Sequence, residues 1–139
     1  MARIDDGFKT LVEFSANPAA KFWEKEVTPP GLDGGGENDT STMRNTRYRT
    51  RAPKQLLTLT EMTLVAAYDP DVVNEIVAMA QENQQITVTW PDNTTLTFWG
   101  WLDKFVFGNL VEGSQPTATV TIIPSNQDNS GVEQAPVQA

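Results

Sequence analysis

Residues 94–107, TTLTFWGWLDKFVF, limit the possible folds more than any other stretch of the chain. In a strand, successive side chains point to opposite faces, so Leu96 and Phe98 go one way and Trp99 and Trp101 the other. A strand in a small domain normally keeps one face wet, and two apolar faces both need cover. A ligand, the rest of the chain or another copy of it could supply that cover. Upstream, residues 85–90 set Ile86, Val88 and Trp90 against Gln85, Thr87 and Thr89. Between the two runs, Pro91-Asp92-Asn93 has the chemistry of a turn: Pro suits its first central position and Asn tolerates a left-handed backbone. The spacing predicts a hairpin, with Gly100 marking a bulge or bend. Without a shift at Gly100, Phe105 and Phe107 continue the Trp face while Leu102 and Val106 continue the other.

The remaining pattern is mostly extended. Residues 1–6 read as a polar arm, and in residues 8–14 Phe8, Thr10, Val12 and Phe14 oppose Lys9, Leu11 and Glu13. Asn17-Pro18 ends that strand, and KFWEKEV at 21–27 predicts the next. Residues 28–45 form a long loop with two prolines and four glycines, and it carries Asp33, Glu37, Asn38 and Asp39. Structureless loops of that length are uncommon in small domains and are usually functional or disordered. Residues 46–51 resume an extended pattern with Arg47, Arg49 and Arg51 on one face, and residues 55–67 predict a long strand. Asp69-Pro70 is a helix start, an N-cap followed by Pro at the first helical position. Val72, Val73, Ile76, Val77 and Ala80 follow at helical spacing, which predicts a helix over about 70–82. A last strand at 117–123 sets Ala118, Val120 and Ile122 against Thr117, Thr119 and Thr121, and the polar segment 127–139 is expected to be a flexible tail. There are no internal repeats. The order gives an α+β fold, an antiparallel β-sandwich or barrel-like subunit with one flanking α-helix.

A chain of 139 residues can close one real core. It has no Cys and no His, which removes disulfides, thiolate metal sites, Cys nucleophiles and His as base or ligand. Eighteen acidic against ten basic residues give a net charge of −8, which argues against tight binding of nucleic acid through its phosphates. The same charge suits a surface that must not stick to DNA. The basic residues are unevenly placed: Arg44, Arg47, Arg49, Arg51 and Lys54 are half of them. No apolar run approaches the roughly 18–20 residues of a membrane span, and the start of the chain lacks a signal-peptide core, so no membrane binding by this chain is expected.

Several constellations invite a chemical reading. Trp99 and Trp101 share a face that could stack on a sugar, whereas Phe98 points away; packing or an interface is the preferred account. Glu24 and Glu26 could be paired for glycoside hydrolysis, but nothing fixes their separation or raises a pKa. Asp33 to Asp39 lack the ligand spacing of a calcium loop. Gly34-Gly35-Gly36 has acidic neighbours that would repel phosphate. An acidic loop beside a basic strand suggests charge complementarity between copies, since Arg pairs bidentately with carboxylates, although a solvated face explains the arginines equally well. No catalytic set, metal site or cofactor is expected.

The ordered set of segments resembles the major tail tube proteins of lambda-like siphophages. The likeness lies in LTLTEMTLVAAYDPDVVNEIVAMAQEN, the hairpin ITVTWPDNTTLTFWGWLDKF, and the strand PTATVTIIPSN, together with the long polar loop. It covers most of residues 8–126, and the hairpin is its most specific part. The resemblance implies a tail tube domain over 1–126 whose copies form hexameric rings stacked into a hollow tube that conducts phage DNA without binding it specifically. Related tubes occur in contractile tails and type VI secretion. It implies tail-tip, tape-measure and tail-terminator proteins as partners, assembly in the host cytoplasm and a place in the virion. It makes residues 28–53 an assembly loop containing Asp33, Glu37, Asp39, Arg44, Arg47, Arg49 and Arg51. Trp90, Phe98, Trp99 and Trp101 become hairpin core or inter-subunit anchors. Glu24, Glu26 and Glu61 are candidate lumen acids because they fall on predicted strands. A non-catalytic glycan-binding module using Trp99 and Trp101 is the alternative, and a two-carboxylate hydrolase comes third.

Overall fold

The computed structural model describes residues 9–16 and 22–139. The expected strand positions at Phe8 and Lys21, the break at Asn17-Pro18 and the polar arm at 1–6 lie outside them. In chain order the elements are β1 (Leu11–Phe14), β2 (Trp23–Thr28), β3 (Leu32–Asp33), β4 (Glu37–Asp39), β5 (Arg51–Pro53), β6 (Thr58–Leu59), β7 (Met62–Ala67), α1 (Pro70–Met79), β8 (Gln84–Thr89), β9 (Thr95–Phe107), β10 (Thr117–Pro124) and β11 (Val137–Gln138). The main sheet is antiparallel in the order β1-β8-β9-β10-β7-β2, with β11 added to β9. This is the expected α+β architecture, an antiparallel sheet with one helix, curled so that its two end strands meet: the Val12 amide donates to Glu24 Oε1 at 3.2 Å.

Alternation decides which face of the sheet is dry. Val12, Phe14, Met62, Leu64, Ala66, Ile86, Val88, Phe98, Leu102, Ala118, Val120 and Ile122 are buried on one side, and Val72, Ile76 and Met79 of α1 pack into the same cluster. Asp69 starts the helix by accepting from the Asp71 amide at 3.0 Å, with Pro70 in the first turn. The helix is three residues shorter than the periodicity predicts. Gln81 adopts φ 61 and turns its amide to Leu102 O at 3.1 Å, so the last turn gives way to contact with β9. The hairpin turn forms as expected: Asn93 sits at φ 69, and Asp92 accepts from the Thr94 amide and hydroxyl.

Local pattern and structure part at two bulges, where an extra residue in one strand flips every side chain beyond it. In β9 the register against β10 shifts at Asp103, not at Gly100. Gly100 serves a close approach instead, since a Cβ there would lie 2.6 Å from Ile123 O. Beyond the bulge Phe105 pairs with Val120 and packs against the core, whereas Val106 and Phe107, at the end of the strand, are both exposed. In β2 the register against β7 shifts between Glu24 and Glu26. Glu24 then pairs with buried Ala66, and Glu26 with Val65 on the opposite face.

Three further expectations change. The long strand predicted at 55–67 is broken at Thr60 and Glu61, so β6 pairs with β3 while β7 joins the main sheet. The loop at 28–45 contains two short strands. The C-terminal segment, expected as a flexible tail, returns to the sheet: β11 resumes the line that β10 leaves at Pro124, pairing Val137 with Thr97 and Gln138 with Leu96. Asp128 closes the excursion by accepting from the Ser130 and Val132 amides and from Gln134 Nε2.

Candidate assembly surface

Residues 31–58 form an arm, not a loose loop. Its root is the pairing of β3 with β6, Leu32 opposite Leu59. Leu59 reaches the core, and Gly31 and Thr60 exchange hydrogen bonds at 2.8 Å and 2.7 Å. Its stem is β4 against β5, with Glu37 opposite Pro53 and Asp39 opposite Arg51. Two ion pairs clamp the stem, Arg49 to Asp39 and Arg51 to Glu37, each at 3.0 Å. The Ser41 amide and hydroxyl, with Arg49, hold the Asp39 carboxyl below its ordinary value, so it stays ionised in mild acid. At the tip, Asn45 Nδ2 donates to Tyr48 O at 2.8 Å and the Arg47 guanidinium lies 6.0 Å from the Tyr48 ring.

The arm has almost no support from a core. No residue from 31 to 58 is buried. Met43 is fully exposed, and Leu32, Tyr48, Leu56 and Leu57 expose most of their surface. The three arginines expected to share a strand face are divided: Arg49 and Arg51 are consumed by acids of the same arm, and Arg47 lies in the bend that precedes β5. The acid–base complementarity read from the sequence is thus satisfied first within one chain. Arg44, Arg47 and Lys54 have no carboxylate partner among the described residues.

The aromatics separate as alternation requires. Phe98 is core and Trp90 packs against it, while Trp99 and Trp101 occupy the opposite face, half-buried. Since α1 packs on the Phe98 side, the helix does not cover the two tryptophans. Their face is rich in threonine, including Thr87 and Thr97, whose hydroxyls are 3.3 Å apart. The exposed tryptophan is Trp23, whose Nε1 donates to Asp69 Oδ2 at 3.0 Å.

The candidate acids are not gathered. Glu24 sits at the seam between β1 and β2, beside an open groove of about 1050 Å³ lined also by Leu11, Trp23 and Tyr68. Burial pushes its carboxyl above the ordinary value; hydrogen bonds from its own amide and that of Val12 pull against this, and the Glu13 carboxylate adds to it. Glu26 is on the other face of the sheet, so the i, i+2 carboxylate pair imagined for hydrolysis does not exist. Glu61 lies in the joint between β6 and β7, not on a strand as expected. Among the described residues no three acids come together to hold a metal ion, and no helix is long and apolar enough to cross a membrane.

These features define a class of fold: an antiparallel sheet with one covering helix and an unsupported, charged arm. No family model and no curated protein matches the sequence. Solved structures match the fold. A chain of the anti-feeding prophage baseplate, symmetrised six-fold, is 12% identical with a TM-score of 0.69 over 100% of this chain and 97% of its own. A chain of the tail of an empty GTA particle, determined with C6 helical symmetry, is 7% identical with a TM-score of 0.66, covering 98% of this chain and 99% of its own. A chain of the sheath–tube complex of an extracellular contractile injection system is 11% identical with a TM-score of 0.64, covering 96% and 90%. At these identities the likeness is one of fold.

Proposed function

We propose that this chain is the structural subunit of a phage tail tube, self-assembling into stacked hexameric rings that enclose a DNA conduit. The observation that carries the reading is the arm. It is a paired, ion-clamped hairpin with no buried residue from 31 to 58 and with large apolar side chains left in water. Such a segment gains by being covered, and the apolar area that it exposes would stabilise contact between copies at roughly 25 cal/mol per Å². The whole-length fold match to chains of tail, baseplate and tube assemblies supports the same reading, and the six-fold symmetry named for two of them supports hexamers. The net charge of −8 suits a conduit that must release DNA.

Within that reading, Asp33, Glu37, Asp39, Arg44, Arg47, Arg49 and Arg51 serve assembly, and Trp99 and Trp101 lie on a face that a neighbouring copy covers. Placement in a siphophage of the lambda-like type, with tail-tip, tape-measure and terminator partners, extends the sequence resemblance. The glycan-platform alternative has no observation of its own, because Trp99 and Trp101 are each half-buried and do not line the open groove. Negative-stain electron microscopy of the concentrated full chain tests the proposal. Hollow rings or tubes are expected; single particles of monomer size at every concentration would overturn it.

A further inference from the structure

Charge along this chain is segregated. Residues 32–57 hold three acidic and five basic side chains, a net of +2, while the other fifteen acids and five bases leave −10 on the rest. From residue 55 to residue 103 there is no Lys or Arg at all, against seven carboxylates. The arm's stem acids are spent on Arg49 and Arg51, so the outward charge of its tip is that of Arg44 and Arg47, beside exposed Met43 and Tyr48.

Helix α1 lies inside the base-free stretch. Asp71 and Glu75, one turn apart, share a flank, and Glu82 follows the helix end. The last turn has no basic residue. A helix C-terminus carries a partial negative charge that a cation stabilises, and Glu82 adds to the negative potential instead. On the neighbouring strand the Leu102 carbonyl accepts from the Gln81 amide just past this end, and Asp103 and exposed Lys104 follow it in sequence. Beside Asp71 and Glu75 the helix exposes Ala78, three residues on from Glu75 and on the same flank, while Val77 is exposed on the far side of the axis. The arm tip offers the reverse charge, two guanidinium groups that follow an exposed methionine in the chain.

We infer that the flank of α1 carrying Asp71, Glu75 and Ala78 is the docking surface for the arm tip of a second copy, with Met43 against Ala78, and Arg44 and Arg47 against Asp71, Glu75, Glu82 and the helix C-terminus. This rests on the reading of the chain as a self-assembling subunit and names the surfaces that meet. It also makes association directional. Arm and helix are different patches, so the contact is head-to-tail and can propagate, whereas two bodies of like charge repel.

The absence of cysteine allows a clean test. Full chains carrying Met43→Cys or Ala78→Cys, both exposed positions, are mixed and oxidised, and the same samples are imaged for tubes. The mixed disulfide is expected to exceed either symmetric one at least tenfold. Arg44→Glu with Arg47→Glu on the arm chain should abolish that excess, and mixing with a helix chain carrying Glu75→Lys and Glu82→Lys should restore it. Tubes without the mixed disulfide overturn the docking surface and leave the tube reading standing. The mixed disulfide without tubes supports the surface and removes the tube reading. Neither product removes both.

Discussion

From Met62 to Ala67 every second residue is buried, whereas from 31 to 58 none is. Both regions are antiparallel pairs held by the same backbone hydrogen bonds, so ladder bonding is not what separates them. The body turns alternate residues of five strands, β1 and β7 to β10, onto one helix and gains a continuous dry cluster. The arm is two strands wide, and a two-stranded ribbon has no third element to bury a face against. Its stability is borrowed from the root at Leu59 and from two exposed ion pairs, which contribute little in water. The body has a core of its own; the arm has none, and in the proposed reading another copy completes it.

Substitutions should divide along this line. The largest effect on stability is expected in the body: Phe98→Ala should cost about 3–5 kcal/mol, read by denaturant unfolding, because a fully buried ring leaves a cavity. The matching arm change, Tyr48→Ala, should alter stability by less than about 0.5 kcal/mol while reducing assembly, and a large loss of stability there would break the comparison. Removing residues 34–39 should spare the fold and sharply reduce tube yield. Gly100→Ala should cost about 1–3 kcal/mol, since its Cβ meets the Ile123 carbonyl oxygen. Asp69→Ala, which loses both the cap to Asp71 and the bond from Trp23, should cost about 1 kcal/mol.

The smallest expected effect concerns pH. Glu24 holds its proton more tightly in the folded chain than its ordinary value of 4.5, so its contribution to stability is full below that value and is lost as pH rises through the folded pKa. Glu24→Gln keeps an acceptor for the Val12 amide and removes the buried charge. Its unfolding free energy at pH 7 should equal or exceed that of the parent, by about 0.5 kcal/mol or less for a half-exposed group, and the difference should vanish below pH 4.5. A variant less stable at pH 7 than at pH 4, relative to the parent, would contradict the assignment of burial as the dominant cause.

Much of the body is legible in the sequence because its signals are local. Asp69-Pro70 marks the helix start, Pro91-Asp92-Asn93 the turn, and the alternations at 85–90 and 117–123 the dry face. The bulges are not legible, because an extra residue is defined against a partner strand. Nothing in WEKEVT or GWLDKF states which residue goes unmatched, and the one local hint, Gly100, answers to the Ile123 carbonyl. The helix end is hidden for a related reason: Gln81 takes a left-handed conformation without the glycine that usually signals it. The arm reads as a loop because its strands are polar and short, and their register depends on Arg49 and Arg51 finding acids ten and fourteen residues earlier. The candidate residues of the arm could be named from composition, but their pairing within one chain could not.

Amide hydrogen exchange of the full chain, dilute and then concentrated into its assembled state, tests most directly the claim that the arm is the part completed by another copy. Amides of residues 32–57 should exchange rapidly in the dilute chain and gain at least tenfold protection on assembly, while those of Met62–Ala67 stay unchanged. Arm amides that exchange at the same rate in both samples would contradict the account.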